Sequence, residues 1–462
     1  MKNGLFIFHR DFRIIDNIGL NNASKKCDKV FTCFIFTPEQ VTNNTFKSEN
    51  SVQFMIESLQ NLQQEITKSG GKLIVLYDSV TDGLEQIVEE LNIEGIFFNE
   101  DYTPYAKKRT EKVEKLCDKL KIKCETSQDY YINKPGTVLN GKGETYVRFT
   151  SFYESYFFNH DFKSPEKHKV DNLSKTTKKL KNGISLQDAM DRFVKKENEY
   201  LAVNGGRYKG VQQLSHAVKD LKDYKDSRDI MSEETSMLSA YIKYGCVSIR
   251  EVLSKFKAKY SAHHELIRQL IWRDFYMHLL SEIPESLDGL SNSKMRKIKW
   301  SKNTERLKKW KEGTTGFPLV DAGMRQMNKT GYMHNRARMI VATFLSKILY
   351  LDWKEGEKYF AQQLVDYDVA SNSGNWQAIV GGGLYAMPWF RILSPWTQSE
   401  KNDNDLDYIR KWVPELKDVP DKHIHKWYKY YRRYENSYPK PIVDFDKRRD
   451  EYMIKMKSVI SQ

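Results

Sequence analysis

The sequence predicts a two-part α/β protein, a Rossmann-like parallel-sheet α/β domain at the N-terminus followed by a larger all-helical domain. Three observations carry this. The first ~130 residues alternate short apolar β-rich runs with longer amphipathic stretches, the pattern of βαβ units. Beyond Ser227 the strand signal disappears and apolar residues recur at helical spacing. All nine tryptophans lie between Trp272 and Trp427, so large rigid aromatic surface is concentrated in the helical half.

Each element follows from its local pattern. Strands are expected at Gly4–Phe8, Lys29–Phe36, Lys72–Tyr77 and Gly95–Asn99, with helices near Asn17–Ser24, Ser51–Ser69, Val80–Leu91 and Pro104–Leu120 between them. No G-x-G-x-x-G follows the first strand and no Walker A loop occurs, so a standard dinucleotide or triphosphate site is not supported. From about Asp161 to Asp223 the chain turns Lys-, Asn- and Ser-rich, with Asn204-Gly205-Gly206 as a breaker, which suits a connector carrying some helix. Helical periodicity returns at Ser248–Phe256, His264–Leu280, Thr304–Lys311, Gly323–Asn328, Asn335–Tyr350 and Glu355–Leu364. The division expected is therefore residues 1–130, a connector over 131–223, and a helical domain over 224–462.

Composition narrows the function classes. Lys+Arg exceed Asp+Glu by 75 − 61 = 14, with an isoelectric point near 9.2, which suits either a polyanionic partner such as nucleic acid or a Lys-rich solubilising surface. The mean hydropathy of −0.67 and the lack of a long apolar run argue against membrane spans. The start, MKNGLFIFHRDFR, reads as a first strand, its apolar run being too short for a signal peptide. Five cysteines (Cys27, Cys33, Cys117, Cys124, Cys246) form no C-x-x-C, which suits a reducing intracellular compartment, cytoplasm or nucleus, and argues against structural zinc. The ten histidines contain no H-E-x-x-H, so no metal site is expected. The tryptophans alone fit a helical core as well as a site. What favours a site is the Arg, Asn and Asp woven among them in GYMHNRARM (Gly331 to Met339) and DYDVASNSGNW (Asp366 to Trp376).

At these residues the chain resembles the photolyase/cryptochrome family, flavoproteins that repair DNA with light or sense light. Other stretches carry the same resemblance: FHRDFRIIDN (Phe8 to Asn17), TSMLSAYIKYGCVSIRE (Thr235 to Glu251), LIWRDFY (Leu270 to Tyr276), EGTTGFPLVDAGMRQ (Glu312 to Gln326), YIRKWVPEL (Tyr408 to Leu416) and YPKPIVDF (Tyr438 to Phe445). The resemblance implies that the helical domain binds FAD. Thr235, Ser236, Leu238 and Ser239 match the pyrophosphate-binding segment, where short hydroxyls and backbone N–H groups suit an anion, although an ordinary helix N-cap fits the same residues. Tyr224 matches a flanking flavin contact, Arg338 and Asp366 a charge pair beside the ring, and Asp368 a further polar contact. A purely structural salt bridge would look the same in sequence. Asn372 matches the residue facing flavin N5; its amide can accept from a reduced ring or donate to an oxidised one without adding charge. Trp376, Trp353 and Trp300 match a chain that carries electrons to the excited flavin.

On the substrate side, Trp272 matches an aromatic that stacks on a flipped pyrimidine dimer, with Gln269 three residues earlier on one helical face. Asn335 and Met339, at i and i+4, match the cyclobutane-dimer class, since (6-4) enzymes carry a pair of His there. Arg228, Arg336 and Arg391 match phosphate-contacting or pocket-lining positions. Two residues depart from the dimer-specific pattern: Gln269 stands where Glu is usual, and Ala378 where a second stacking Trp is usual, with Tyr385 and Trp389 near enough in sequence to compensate. NEDYTPYAKKR (Asn99 to Arg109) falls where a second, antenna chromophore of folate or deazaflavin type makes its contacts, but lacks the acidic residue of the folate pattern. The resemblance thus implies light-driven splitting of cyclobutane pyrimidine dimers by a monomer acting on damaged DNA. The alternatives are a cryptochrome-type light sensor, from which the lack of a long C-terminal extension would distinguish this chain, and (6-4) repair.

Overall fold

The computed structural model describes residues 1–159, 162–434 and 438–461. By spatial contact the chain divides into two compact units. The first comprises Met1–Asn198, Val203–Lys222 and Ser236–Pro284; the second comprises Glu199–Ala202, Asp223–Thr235 and Glu285–Gln462. The helical stretch Ser236–Pro284 thus groups with the α/β portion. Asp161, where the Lys-, Asn- and Ser-rich stretch is expected to begin, lies outside the described residues.

The first unit is built on five parallel strands, β1 (Asn3–Ile7), β2 (Lys29–Phe36), β3 (Leu73–Tyr77), β4 (Gly95–Asn99) and β5 (Lys123–Ser127), in the order β3-β2-β1-β4-β5. Gly4 pairs with Val30 on one side and Gly95 on the other, so β1 is central. Helices α1 (Ile18–Lys26), α2 (Glu49–Lys68), α3 (Val80–Leu91) and α4 (Pro104–Leu120) make the crossovers. Each starts at a side chain that accepts an orphan backbone N–H: Asn17 from Leu20, Ser48 from Ser51, Ser79 from Asp82 and Thr103 from Ala106. Leu5, Ile7, Cys33, Ile35, Leu76, Ile96 and Phe98 pack with Leu84, Ile87, Val113 and Cys117 into the sheet's core. Strand β5 departs from expectation. KCETS is polar because the strand stays partly exposed at the sheet edge beside β4, whereas LIVLY of β3, at the opposite edge, is almost wholly buried.

The FHRDFRIIDN stretch proves structural. Arg13 and Arg250 both reach the Asp129 carboxylate, at 2.6 Å each, Asp16 accepts from Arg250 and Ser248, and Asp11 accepts from Asn99 at 2.6 Å. All are nearly inaccessible, and buried charges persist only when paired this fully. Two more helices of this unit matter below, α5 (Phe149–Asn159) and α6 (Glu265–Glu282).

The second unit is helical among its described residues. Its relevant helices are α7 (Asn335–Thr343), α8 (Trp353–Gln363), α9 (Val369–Val380) and α10 (Phe445–Ser461). The single helix expected over Asn335–Tyr350 instead passes from α7 into a π-helical turn, Phe344–Ile348. Gly323–Asn328 is the middle of a longer helix, Pro318–Thr330. α9 carries no helical signal in sequence and is nonetheless regular.

Candidate functional site

In the second unit, α9 forms although Asn, Ser and Gly fill it. Asp368 caps it by accepting from Ser371 at 3.2 Å, and Gly381, at φ +95°, closes it in the left-handed conformation. Asn372 and Trp376 lie one turn apart on this helix. The Asn372 amide nitrogen donates to Glu357 Oε1 at 3.1 Å and to the Glu357 carbonyl at 3.3 Å. Both partners are oxygens, so the orientation of the amide is determined, and Asn372 Oδ1 takes no bond among the described residues. Glu357, on α8, also accepts from Tyr367 at 3.0 Å. Burial raises its pKa, opposed by these two donors.

Arg338, on α7, places one terminal nitrogen between the two oxygens of Asp366, at 3.1 and 2.9 Å, while its Nε donates to the Met333 carbonyl at 2.8 Å. Burial works against its charge, and Asp366 together with Tyr332 outweighs that, so its pKa is raised. Thr235 shares a hydrogen bond of 2.9 Å with Tyr332, over whose ring Arg338 lies at 5.5 Å. Tyr224 opens a one-turn helix that Arg228 closes.

Trp376 and Trp353 are buried in the core of this unit, and Trp300 packs against that core half-buried. Trp376 meets Phe360 edge-on at 5.1 Å and Trp310 at 6.3 Å. Trp300 tilts against Tyr350 at 5.3 Å. The sequence could not decide between core and site for the tryptophans, and Trp376 and Trp353 sit in the core.

Asn335 is exposed, whereas Met339 packs on the core. Arg336 is not a bare cation: it pairs with Asp229 at 2.5 Å. His334 caps α7 by accepting from the Arg336 N–H through Nδ1, at 3.1 Å, which leaves a proton on Nε2, a buried atom without a partner among the described residues. Arg391 is exposed. Ala378 is 3% exposed, and its carbonyl accepts from the Met387 N–H at 3.0 Å, so the stretch carrying Tyr385 and Trp389 folds back onto α9.

In the first unit, Gln269 donates to Glu265 at 3.0 Å, one turn earlier on α6. Trp272 stacks on Phe149 of α5, with centroids 3.4 Å apart and planes 6° apart, so one indole face is covered within its own unit. Ser236, Leu238 and Ser239 belong to this unit and Thr235 to the other. The helix after them, Ser239–Lys243, has no side-chain cap, which removes the ordinary N-cap explanation. Met237 adopts φ +50° there, a conformation that a non-glycine residue seldom holds without a reason.

The sheet reverses its strand order between β1 and β4, the switch point where open α/β sheets bind ligands at strand C-termini. Arg10 pairs there with Asp101 at 2.8 Å and lies 4.3 Å over the Tyr130 ring. Arg109 is 7% exposed, and its Nε and one terminal nitrogen have no partner among the described residues, as is also true of His9 Nε2.

Residues 5–168 match the family described as DNA photolyase, and residues 266–458 the FAD binding domain of DNA photolyase. The chain is 33% identical to the deoxyribodipyrimidine photo-lyase of Alkalihalophilus pseudofirmus, covering 96% of this chain and 95% of that one. It is also 33% identical to the enzyme of the same name from Escherichia coli, with 96% of each covered. The chain belongs to the DNA photolyase family. Among solved structures, an archaeal photolyase from Sulfolobus tokodaii with two FAD molecules superposes with a TM-score of 0.88 at 36% identity, covering 99% of this chain and all of that one. A class III photolyase from Agrobacterium tumefaciens gives 0.92 at 27% identity, covering all of this chain and 98% of that one.

For this photolyase-family chain, sequence reasoning missed Glu357, Asp229 and His334. Glu357 had a signal: it occupies the apolar stripe of α8 with Trp353 and Phe360, where a carboxylate needs a reason. His334 sits inside a quoted motif. Asp229 had no signal.

Proposed function

We propose that the protein uses light to split cyclobutane pyrimidine dimers in DNA, with FAD as its resident cofactor. The observation that carries this is the Asn372 amide, whose nitrogen is held by Glu357 and whose carbonyl oxygen has no partner among the described residues. A neutral acceptor is thereby left to meet a ring N–H without bringing charge. In the second unit Arg338, Asp366, Asp368 and Tyr224 would suit the flavin ring and Thr235 its pyrophosphate, and in the first unit Ser236, Leu238 and Ser239 offer hydroxyl and backbone N–H groups that suit an anion. The unpartnered His334 Nε2 is a further donor awaiting an acceptor. When bound, FAD supplies the photoexcited electron that the dimer receives and gives back, so the protein contributes binding, orientation and electrostatics.

Trp376, Trp353 and Trp300 carry electrons that keep the cofactor reduced. For contact with the flipped dimer the first unit offers Gln269 and Trp272 and the second Asn335 and Met339, and Arg228, Arg336 and Arg391 of the second unit suit the DNA backbone. Arg109 and His9 fit a second, antenna chromophore bearing negative charge, because a buried cation whose N–H donors lack acceptors is satisfied by an anion. We place the protein as a monomer in a reducing compartment, in keeping with its five free thiols. No helix among the described residues is long and apolar enough to cross a membrane.

The test is to illuminate pre-reduced protein with an oligonucleotide carrying one defined cyclobutane dimer and measure restored pyrimidines. Light-dependent restoration is expected. Repair of (6-4) lesions alone would reassign the substrate, and photoreduction without any repair would move the protein to the sensor class.

A further inference from the structure

Lys347 is a buried cation that makes no ion pair among the described residues. It lies on the π-helical turn Phe344–Ile348, 1% exposed, in a segment that otherwise sends Phe344, Leu345 and Ile348 into the core. Its ammonium donates to two backbone carbonyls, Trp389 at 3.0 Å and Arg391 at 2.9 Å. Burial, with Arg391 adding to it, holds its pKa down at about 7. A methionine of similar length would fill this space at far lower desolvation cost. A buried ammonium retained on two carbonyls therefore points to the conformation of the segment it grips.

That segment is fastened at several points. The Tyr452 hydroxyl, from α10, also donates to the Trp389 carbonyl, at 3.2 Å, and the Arg391 N–H turns back to Pro388 at 2.9 Å. A Cβ at Gly381 would lie 2.8 Å from Trp389 Cα, so the chain is seated closely on the end of α9. The two carbonyls gripped by Lys347 flank Phe390, which is 59% exposed. Beside it stands the exposed Arg391. The backbone is anchored inward while one large ring and one guanidinium stand outward. This pairing suits nucleic acid, where apolar side chains wedge against base steps and Arg contacts phosphates.

We propose that Lys347 is a positioning residue for DNA binding: it pins the Trp389–Arg391 backbone so that Phe390 and Arg391 are preset before DNA arrives. This rests on the DNA-repair function proposed above. Presetting removes the ordering cost that a loose segment would incur on binding.

Lys347→Met tests it. In DNA-free protein, amide exchange over Trp389–Leu393 should quicken by about tenfold or more, while flavin content and photoreduction rate stay as in wild type. Affinity for dimer-containing DNA should fall about tenfold, equivalent to ~1.4 kcal/mol. Turnover at saturating DNA should persist, so KM moves and kcat does not. In a Phe390→Ala, Arg391→Ala background, Lys347→Met should cost less than about twofold, because it acts through those two side chains. Costs that simply add, unchanged exchange, or a loss of kcat at constant KM would overturn the proposal. If Lys347→Met does not fold, Lys347→Gln, which keeps an N–H donor group but loses the charge and the reach, should show the same changes at smaller size, and wild-type behaviour from it would equally overturn the assignment. A wild-type protein that fails to bind dimer DNA would instead sink the repair function, and the exchange measurement distinguishes the two failures.

Discussion

Gly356→Ala should damage the protein although it adds one methyl group to a helix. A Cβ built at Gly356 would lie 2.2 Å from Trp376 Cη2, 2.8 Å from its Cζ2 and 2.5 Å from Leu345 Cδ2. Ordinary contact begins at 3.4 Å, so the indole would have to retreat by 3.4 − 2.2 = 1.2 Å. It has nowhere to go: Trp376 is 2% exposed, Leu345 fully buried, and Phe360 and Trp310 already stand edge-on to the ring. Overpacking costs ~1–3 kcal/mol and sits at the upper end for a rigid ring in a closed core. Against this, replacing a helical Gly returns ~1 kcal/mol. The net expectation is a loss of roughly 2 kcal/mol in denaturant unfolding, together with slower photoreduction of oxidised flavin because Trp376 is displaced. A variant more stable by ~1 kcal/mol, as for an ordinary helical Gly→Ala, with photoreduction unchanged, would refute the close packing of α8 on α9.

Trp376→Phe should slow flavin photoreduction, since Phe is much harder to oxidise, while pre-reduced protein still repairs; a transient-absorption measurement beside a repair assay separates the two. Asp229→Asn should steepen the salt dependence of DNA binding by up to about one charge, and Arg336→Ala should flatten it by less than one, because Asp229 already cancels part of that charge. Burial, against the pull of Asp229 and with Arg336 and Arg338 adding, lowers the His334 pKa from 6.5 to about 4. The folded chain thus refuses a proton that the unfolded chain accepts, and stability should fall as pH drops through that interval; His334→Asn, which keeps a capping acceptor, should flatten the slope seen in thermal unfolding. Ala378→Trp should destabilise by ~1–3 kcal/mol and weaken dimer binding, because the site is already covered by the Met387 stretch; tighter binding at unchanged stability would show an empty stacking position.

Strands β1, β2 and β4 were legible because a central parallel strand is buried on both faces and reads as a continuous apolar run, and β3, at one edge of the sheet, because it too is almost wholly buried. β5 was not, since an edge strand half in water needs no such run. α9 failed for a different reason. Its Val-Ala-Ser-Asn-Ser-Gly-Asn opening has poor helix propensity, and what makes it a helix is the Asp368 cap, the Gly381 stop and the glycine of α8 that admits Trp376.

The same distinction separates the site residues that sequence revealed from those it did not. Asn372, Arg338, Asp366 and Trp376 stand in idiosyncratic motifs, so a family resemblance locates them one by one. Glu357, Asp229 and Lys347 act on a side chain or on backbone far along the chain: Glu357 fixes which atom Asn372 presents, Asp229 offsets the charge of Arg336, and Lys347 grips carbonyls 42 and 44 residues on. A carbonyl is the same in every residue, so no motif can announce that it is being held. Buried charge was the available clue. Glu357 and Lys347 each sit in an otherwise apolar stretch, where an ionisable group is expensive unless it controls something nearby, and in both cases what lies within its reach is a residue assigned to cofactor or DNA.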